Sequence, residues 1–179
     1  MKPHSLFAAA LLLAGLVVAG LAGSDLDKLK TDVQAAVASF EKSDSGMKTL
    51  LRNAAGYAVF PNVGKGGLVV GGAHGNGLVF EAGNLVGRAS LSQITLGAQV
   101  GGQAFAEVIL FETPATLTKF KEGGFAMNAQ LGAVAAAEGA SKNARYVEGV
   151  MVFTKAKQGL MAEATVGGQK FKFELIEKD

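Results

Sequence analysis

Shortages define this chain first. It has no cysteine in its 179 residues, only 3 prolines and only 2 histidines. Without cysteine no disulfide forms, and a metal cluster would have oxygen ligands alone to work with. His4 precedes the apolar leader, so His74 is the one histidine of the mature chain, and a Ser-His-Asp triad would depend on it. Nothing near His74 has the form of a nucleophile elbow. Apart from Asp179, every aspartate lies before Met47, and the glutamates are spread thinly, so no calcium loop is present. Proline is too rare for collagen or a disordered linker, although glycine, at 25 residues, is abundant. Charge bias is missing too: the net charge is +2, one unit of which is Lys2 in the leader. A nucleic-acid partner would require a far more basic chain. Nucleotide loops are likewise excluded. Lys65 sits between glycines without the GK[ST] pattern, and strands rather than a helix follow it. No cofactor is implied.

What is present begins with a leader. Lys2 and His4 precede an uncharged run over 6–23, and the first charge after it is Asp25. A basic start, an apolar middle and small residues at the end describe a secretory signal peptide, expected to be cleaved. The chain is therefore expected to be exported, either periplasmic or associated with the envelope. Leu21-Ala22-Gly23-Ser24 resembles the bacterial lipoprotein cleavage box, with Ser24 where the lipidated cysteine would stand. Having no cysteine, this chain cannot be lipidated through a thioether.

Over 24–55 two helices are predicted. Leu26, Leu29, Val33, Ala36, Val37 and Phe40 recur at helical spacing, with Ser24 as a cap. Met47, Leu50, Leu51 and Ala54 form the stripe of a second, shorter helix, which Gly56 can close. From 56 to 179 short runs of Val, Phe and Leu between glycines predict strands. Gly75-Asn76-Gly77 reads as a hairpin turn and Gly83-Asn84 as another, while Pro61 suits a strand end. Phe105–Phe111 is apolar on both faces and belongs at the centre of a sheet. Thr113-Pro114 opens a short helix with Leu117 and Phe120 on its inner face. Phe125–Ala137, Val150–Phe153, Leu160–Val166 and Gln169–Ile176 are read as further strands, with 141–146 as a polar connector. The fold class predicted is α+β: a glycine-rich antiparallel β-barrel or strongly curved sheet, with N-terminal helices and one short interior helix.

Two sets of residues stand out. Glu107 is a carboxylate inside an apolar strand; facing inward, it would need a partner such as Arg88, Lys65 or a backbone donor. The basic clusters are Lys119 with Lys121, Lys142 with Arg145, Lys155 with Lys157, and Lys170 with Lys172. Converging on one side, they would bind anionic headgroups.

The blocks GYAVFPNVGKGGLVVGGAHGNGLVF, LSQITLGAQVGGQAFAEVILF, GGFAMNAQLGAVAAAEGA and GVMVFTKAKQGLMAEATVGG, in this order, resemble the SYLF-domain family. Gly66-Gly67, Gly75, Gly77 and Glu107 match family positions, as do Lys155, Lys157, Gly159 and Leu160, while Met161 stands where the family has an aromatic residue. The resemblance implies a non-enzymatic domain that binds membrane lipids, with anionic phospholipids or a membrane surface as the partner. Yeast members bind actin, which has no counterpart for an exported bacterial chain. An envelope assembly role, with a protein partner, is the alternative.

Overall fold

Side chains that alternate between two faces are what a strand requires, and seven strands form one sheet in the computed structural model. The structure describes residues 6–66, 70–96, 103–123, 133–158 and 168–176, with side chains from residue 24 onward except at 70, 95, 96, 103 and 158. In chain order the elements are α1 (Leu6–Ser43), α2 (Met47–Asn53), β1 (Gly56–Gly66), β2 (Val70–Glu81), β3 (Asn84–Leu96) and β4 (Gln103–Phe111). There follow α3 (Pro114–Lys121), β5 (Ala133–Ala135), α4 (Ala140–Asn143), β6 (Val150–Gln158) and β7 (Gln169–Leu175). The strand order is β5-β6-β4-β1-β2-β3-β7. All neighbours are antiparallel except β5 and β6, which run parallel.

The expected class, α+β with a curved sheet, describes this architecture; a barrel does not. β5 and β7 lie at opposite ends of the order and are not paired with each other among the described residues. The sheet nevertheless curls sharply. Phe60 on β1 and Phe171 on β7 are three places apart in the order, roughly 14 Å in a flat sheet, yet their ring centroids are 5.8 Å apart. Phe120 of α3 packs into the hollow, 4.9 Å from Phe111 and 5.1 Å from Phe171. With Ala58, Val79, Leu91, Phe105, Ile109 and Leu117 these rings fill the inner face. Thr113 caps α3 as expected, its Oγ1 accepting from Thr116 N at 3.2 Å.

The outer face meets the N-terminal helices. Val59, Leu78, Val108, Leu110, Met151 and Phe153 pack against Val33, Ala36 and Phe40 of α1 and Met47 and Leu51 of α2. Strand β4, buried on both faces from Phe105 to Phe111, occupies an interior position between β6 and β1. Asp44 ties the α1–α2 connection to α4: its carboxylate accepts from Ser141 N at 2.6 Å, Ser141 Oγ at 2.8 Å and Gly46 N at 3.0 Å. Burial pushes the Asp44 carboxyl up, but these hydrogen bonds outweigh it and hold it below the usual range.

Several sequence expectations are corrected. Ser24 does not cap a helix, because α1 runs unbroken from Leu6 through it. Gly75-Asn76-Gly77 is not a turn but lies within β2, while the second expected turn is present, with Gly83 at φ +80°. Position 77 has no room for a side chain: a Cβ there would meet the Val59 carbonyl oxygen and lie 2.7 Å from Phe60 Cδ1. These glycines admit large neighbours rather than reverse the chain. Pro61 sits inside β1, where the register shifts against both neighbouring strands; a bulge leaves its missing N–H unneeded. His74 is an exposed mid-strand residue rather than a loop residue. One short helix was expected after β1, and two are present, because 140–143 turns once as α4. Of the strand expected over 125–137, β5 lies among the described residues; most of that stretch, and 160–166, lies outside them.

Gly77→Ala should therefore cost about 1–3 kcal/mol by overpacking. Gly64→Ala, where an added Cβ meets nothing within 4 Å, should stay within about 0.5 kcal/mol of the parent. Urea unfolding of the two variants compares them directly, and equal losses would contradict the packing account.

Candidate functional site

Strand alternation sorts the eight basic candidates. Lys119 and Lys121 lie on α3, on the inner side of the sheet, and Lys121 Nζ is 2.6 Å from Glu81 Oε2. Lys142 and Arg145 lie on α4 and just beyond it, and Arg145 Nη1 donates to the carbonyls of Lys142 and Ala144 at 3.0 and 2.8 Å. Lys155 and Lys157 extend from β6 and Lys170 and Lys172 from β7, on the outer side. Opposite faces of one sheet carry them, so the structure does not gather all eight into one patch.

Some of these charges have structural work. Lys155 Nζ donates to the Ser39 carbonyl at 3.0 Å, to Ser39 Oγ at 2.7 Å and to Ser43 Oγ at 2.6 Å, pinning α1 to β6. Lys157 Nζ donates to Asn62 Oδ1 at 2.5 Å and to the Pro61 carbonyl at 3.2 Å, across the bulge. Lys172 pairs with Glu174 at 2.7 Å. Among the described residues Lys119, Lys142 and Lys170 have no such partner.

Register builds the outer face beyond α1. Asn62, Asn76, Ser90 and Lys172 stand in one cross-strand row, and Gly64, His74, Ser92 and Lys170 in the next. Ile94 follows on the same face of β3, 78% exposed, beside Gly72. It is the diagonal neighbour of Lys170, about 7–8 Å away by ordinary sheet spacing. Neither Gly64 nor Gly66 on this face would meet anything with an added Cβ, so packing does not require them to be glycine. The result is a surface sparse in side chains, with one apolar knob beside a cation.

Nearer α1 the same face opens into a cleft of about 590 Å³ between the helix and the strands. Asp25, Lys28, Asp32, Arg88, Lys172 and Glu174 line it, so it carries both signs of charge and does not by itself select an anion. Three histidines or carboxylates able to hold a metal do not come together among the described residues.

Inside the curl, Glu107 is fully buried opposite Thr154 of β6. Its partner is neither Arg88 nor Lys65: Gln169 Nε2 donates to its Oε2 at 2.9 Å. Burial pushes the Glu107 carboxyl up to about 7, with the Gln169 hydrogen bond acting the other way. Gln169 went unnoticed in the sequence because it lies 62 residues from Glu107. Ile94 went unnoticed too. Its signal was an apolar residue in the polar phase of Arg88, Ser90 and Ser92.

No protein-family model matches the chain. Over 84 residues it is 33% identical to Beta cell expansion factor A of Aeromonas veronii, an alignment covering 47% of this chain and 31% of that protein. The chain thus spans less than a third of the length of this curated relative, and the similarity is to a part of it.

Lys155→Met should free the end of α1 from β6 and lower stability by about 0.5–1.5 kcal/mol, the loss of hydrogen bonds to part-buried acceptors. Lys170→Met should leave stability unchanged. Chemical unfolding of both variants checks the contrast; equal effects would mean that Lys155 does not anchor the helix.

Proposed function

We propose that this protein is a non-enzymatic, exported lipid-binding protein of the SYLF type, which rests the outer face of its sheet on anionic bilayers. The observation that carries the reading is Ile94, 78% exposed beside Lys170, which has no partner among the described residues, on a face stripped to glycine at Gly64, Gly66 and Gly72. An apolar side chain that enters the headgroup layer gains from leaving water, and a lysine beside it gains from anionic phosphate. Bare glycine backbone lets a flat partner come close. The other basic residues take smaller parts, because Lys121, Lys155, Lys157 and Lys172 already have protein partners.

The alternative, an envelope protein partner, draws support from β7. Among the described residues this strand pairs only with β3, and Leu175 near its end is 74% exposed. Such an edge suits strand addition.

Sedimentation with vesicles of phosphatidylcholine, with and without phosphatidylglycerol, separates the two. Binding is expected only with the anionic lipid and should weaken as salt rises. Lys170→Gln should reduce it roughly fivefold, from ~1 kcal/mol per charge near such a surface. Ile94→Ser should reduce it without changing its salt dependence. Binding indifferent to lipid charge and to both substitutions would defeat the proposal and favour the protein partner.

A further inference from the structure

The inner face holds a polar pair that the lipid-contact surface does not use. Glu107 and Gln169 are both fully buried, among Phe60, Phe105, Ile109 and Phe171. They come from strands four places apart in the sheet, roughly 19 Å in a flat one, yet the Gln169 Nε2–Glu107 Oε2 distance is 2.9 Å. Only the curl brings them together. Their bond is a direct polar tie between β7 and β4.

The tie is incomplete in an informative way. Glu107 Oε1 and Gln169 Oε1 are both buried, and neither has a hydrogen-bond partner among the described residues. An ionised carboxylate would hold a full charge in an apolar hollow on one neutral hydrogen bond, at a large desolvation cost. The neutral acid avoids that charge. It also supplies an O–H donor, the kind of group that the unpartnered amide oxygen lacks.

We infer that Glu107 and Gln169 form a proton-dependent clasp: with Glu107 neutral, β7 is held across the hollow to β4, and loss of that proton to water releases β7 and opens the curl. The charged form needs water. The least costly way to admit it is to free the edge strand, since β7 pairs only with β3 among the described residues.

The other ionisable groups on the inner side are few among the described residues; α3 contributes exposed Lys119 as well as Lys121. β1 contributes Lys65, two residues beyond buried Val63 on the same face, and burial holds its ammonium below the usual range. β2 contributes Glu81, which is paired with Lys121 of α3. From β3, β6 and β7 the buried polar groups facing the hollow are Gln93, Thr154 and Gln169, none of them charged. Neither Lys65 nor the Glu81–Lys121 pair contributes to the Glu107 shift, which comes from burial and from Gln169.

The sign follows from the raised pKa. Below the ordinary value of 4.5 the stabilisation is fully present, and it is lost as pH rises through about 7. One proton changes the folded-to-unfolded ratio by up to about tenfold per pH unit within that window. Urea unfolding of the protein across this range should show the loss, and Glu107→Gln should abolish it. Hydrogen exchange, corrected for intrinsic rate, should show β7 losing protection above the window while β1 and β2 keep theirs. Gln169→Leu removes the donor that favours the charged form, so its window should move to higher pH, a test that stands even if Glu107→Gln does not fold. A parent stability as flat as that of Glu107→Gln would overturn the inference. So would equal loss of protection in β7 and β1, or a window that Gln169→Leu leaves in place.

Discussion

The close approach of Phe60 and Phe171 across the hollow of the sheet is the contact on which the rest of the structure depends. A sheet of this width would normally twist gently and leave those rings far apart. Here the inner face narrows because β2 offers Gly75 and Gly77 where its neighbours offer Val63 and Phe60. Large side chains press onto bare backbone, the strands bend around them, and β7 is carried over toward β1. Phe120 of α3 then closes the gap between Phe111 and Phe171. Without the glycines the inner rings would have no space. Without the rings the curl would have nothing to bury.

The curl also divides the molecule chemically. Its concave side is aromatic, with a buried polar tie between Glu107 and Gln169. Its convex side is half covered by α1 and α2, and beyond them it presents polar and glycine positions, with Ile94 and Lys170 at the far end. The two sides have opposite uses for glycine. Gly77 is crowded and serves packing, whereas Gly64 and Gly66 are open and serve, on the proposed reading, a close contact. The lysines divide in the same way. Lys155 holds a helix in place, while Lys170 is left to the solvent side.

Local chemistry was legible before any coordinates. Phe105–Phe111 announced a strand buried on both faces, because no polar alternation interrupts it, and β4 is such a strand. Thr113, Pro114, Leu117 and Phe120 described α3 down to its cap. The errors came where a residue type has two physical uses. Asn76 between glycines reads as a turn, but Gly75 and Gly77 are there for Val63 and Phe60, which approach from the neighbouring strand. Pro61 reads as a strand end, but a bulge accommodates it inside β1. In each case the deciding partner is distant along the chain.

Periodicity and composition were enough to determine the α+β class, the doubly buried strand Phe105–Phe111 and the capped helix. These follow from interactions within a few residues, or from composition, and a linear sequence displays both. Tertiary structure alone decided that the sheet stays open but curls, that Lys155 and Lys157 are engaged, that Ile94 stands beside Lys170, and that Glu107 meets Gln169. Each of those depends on strand order and register, which bring together residues far apart in sequence through side-chain volumes summed over the whole core.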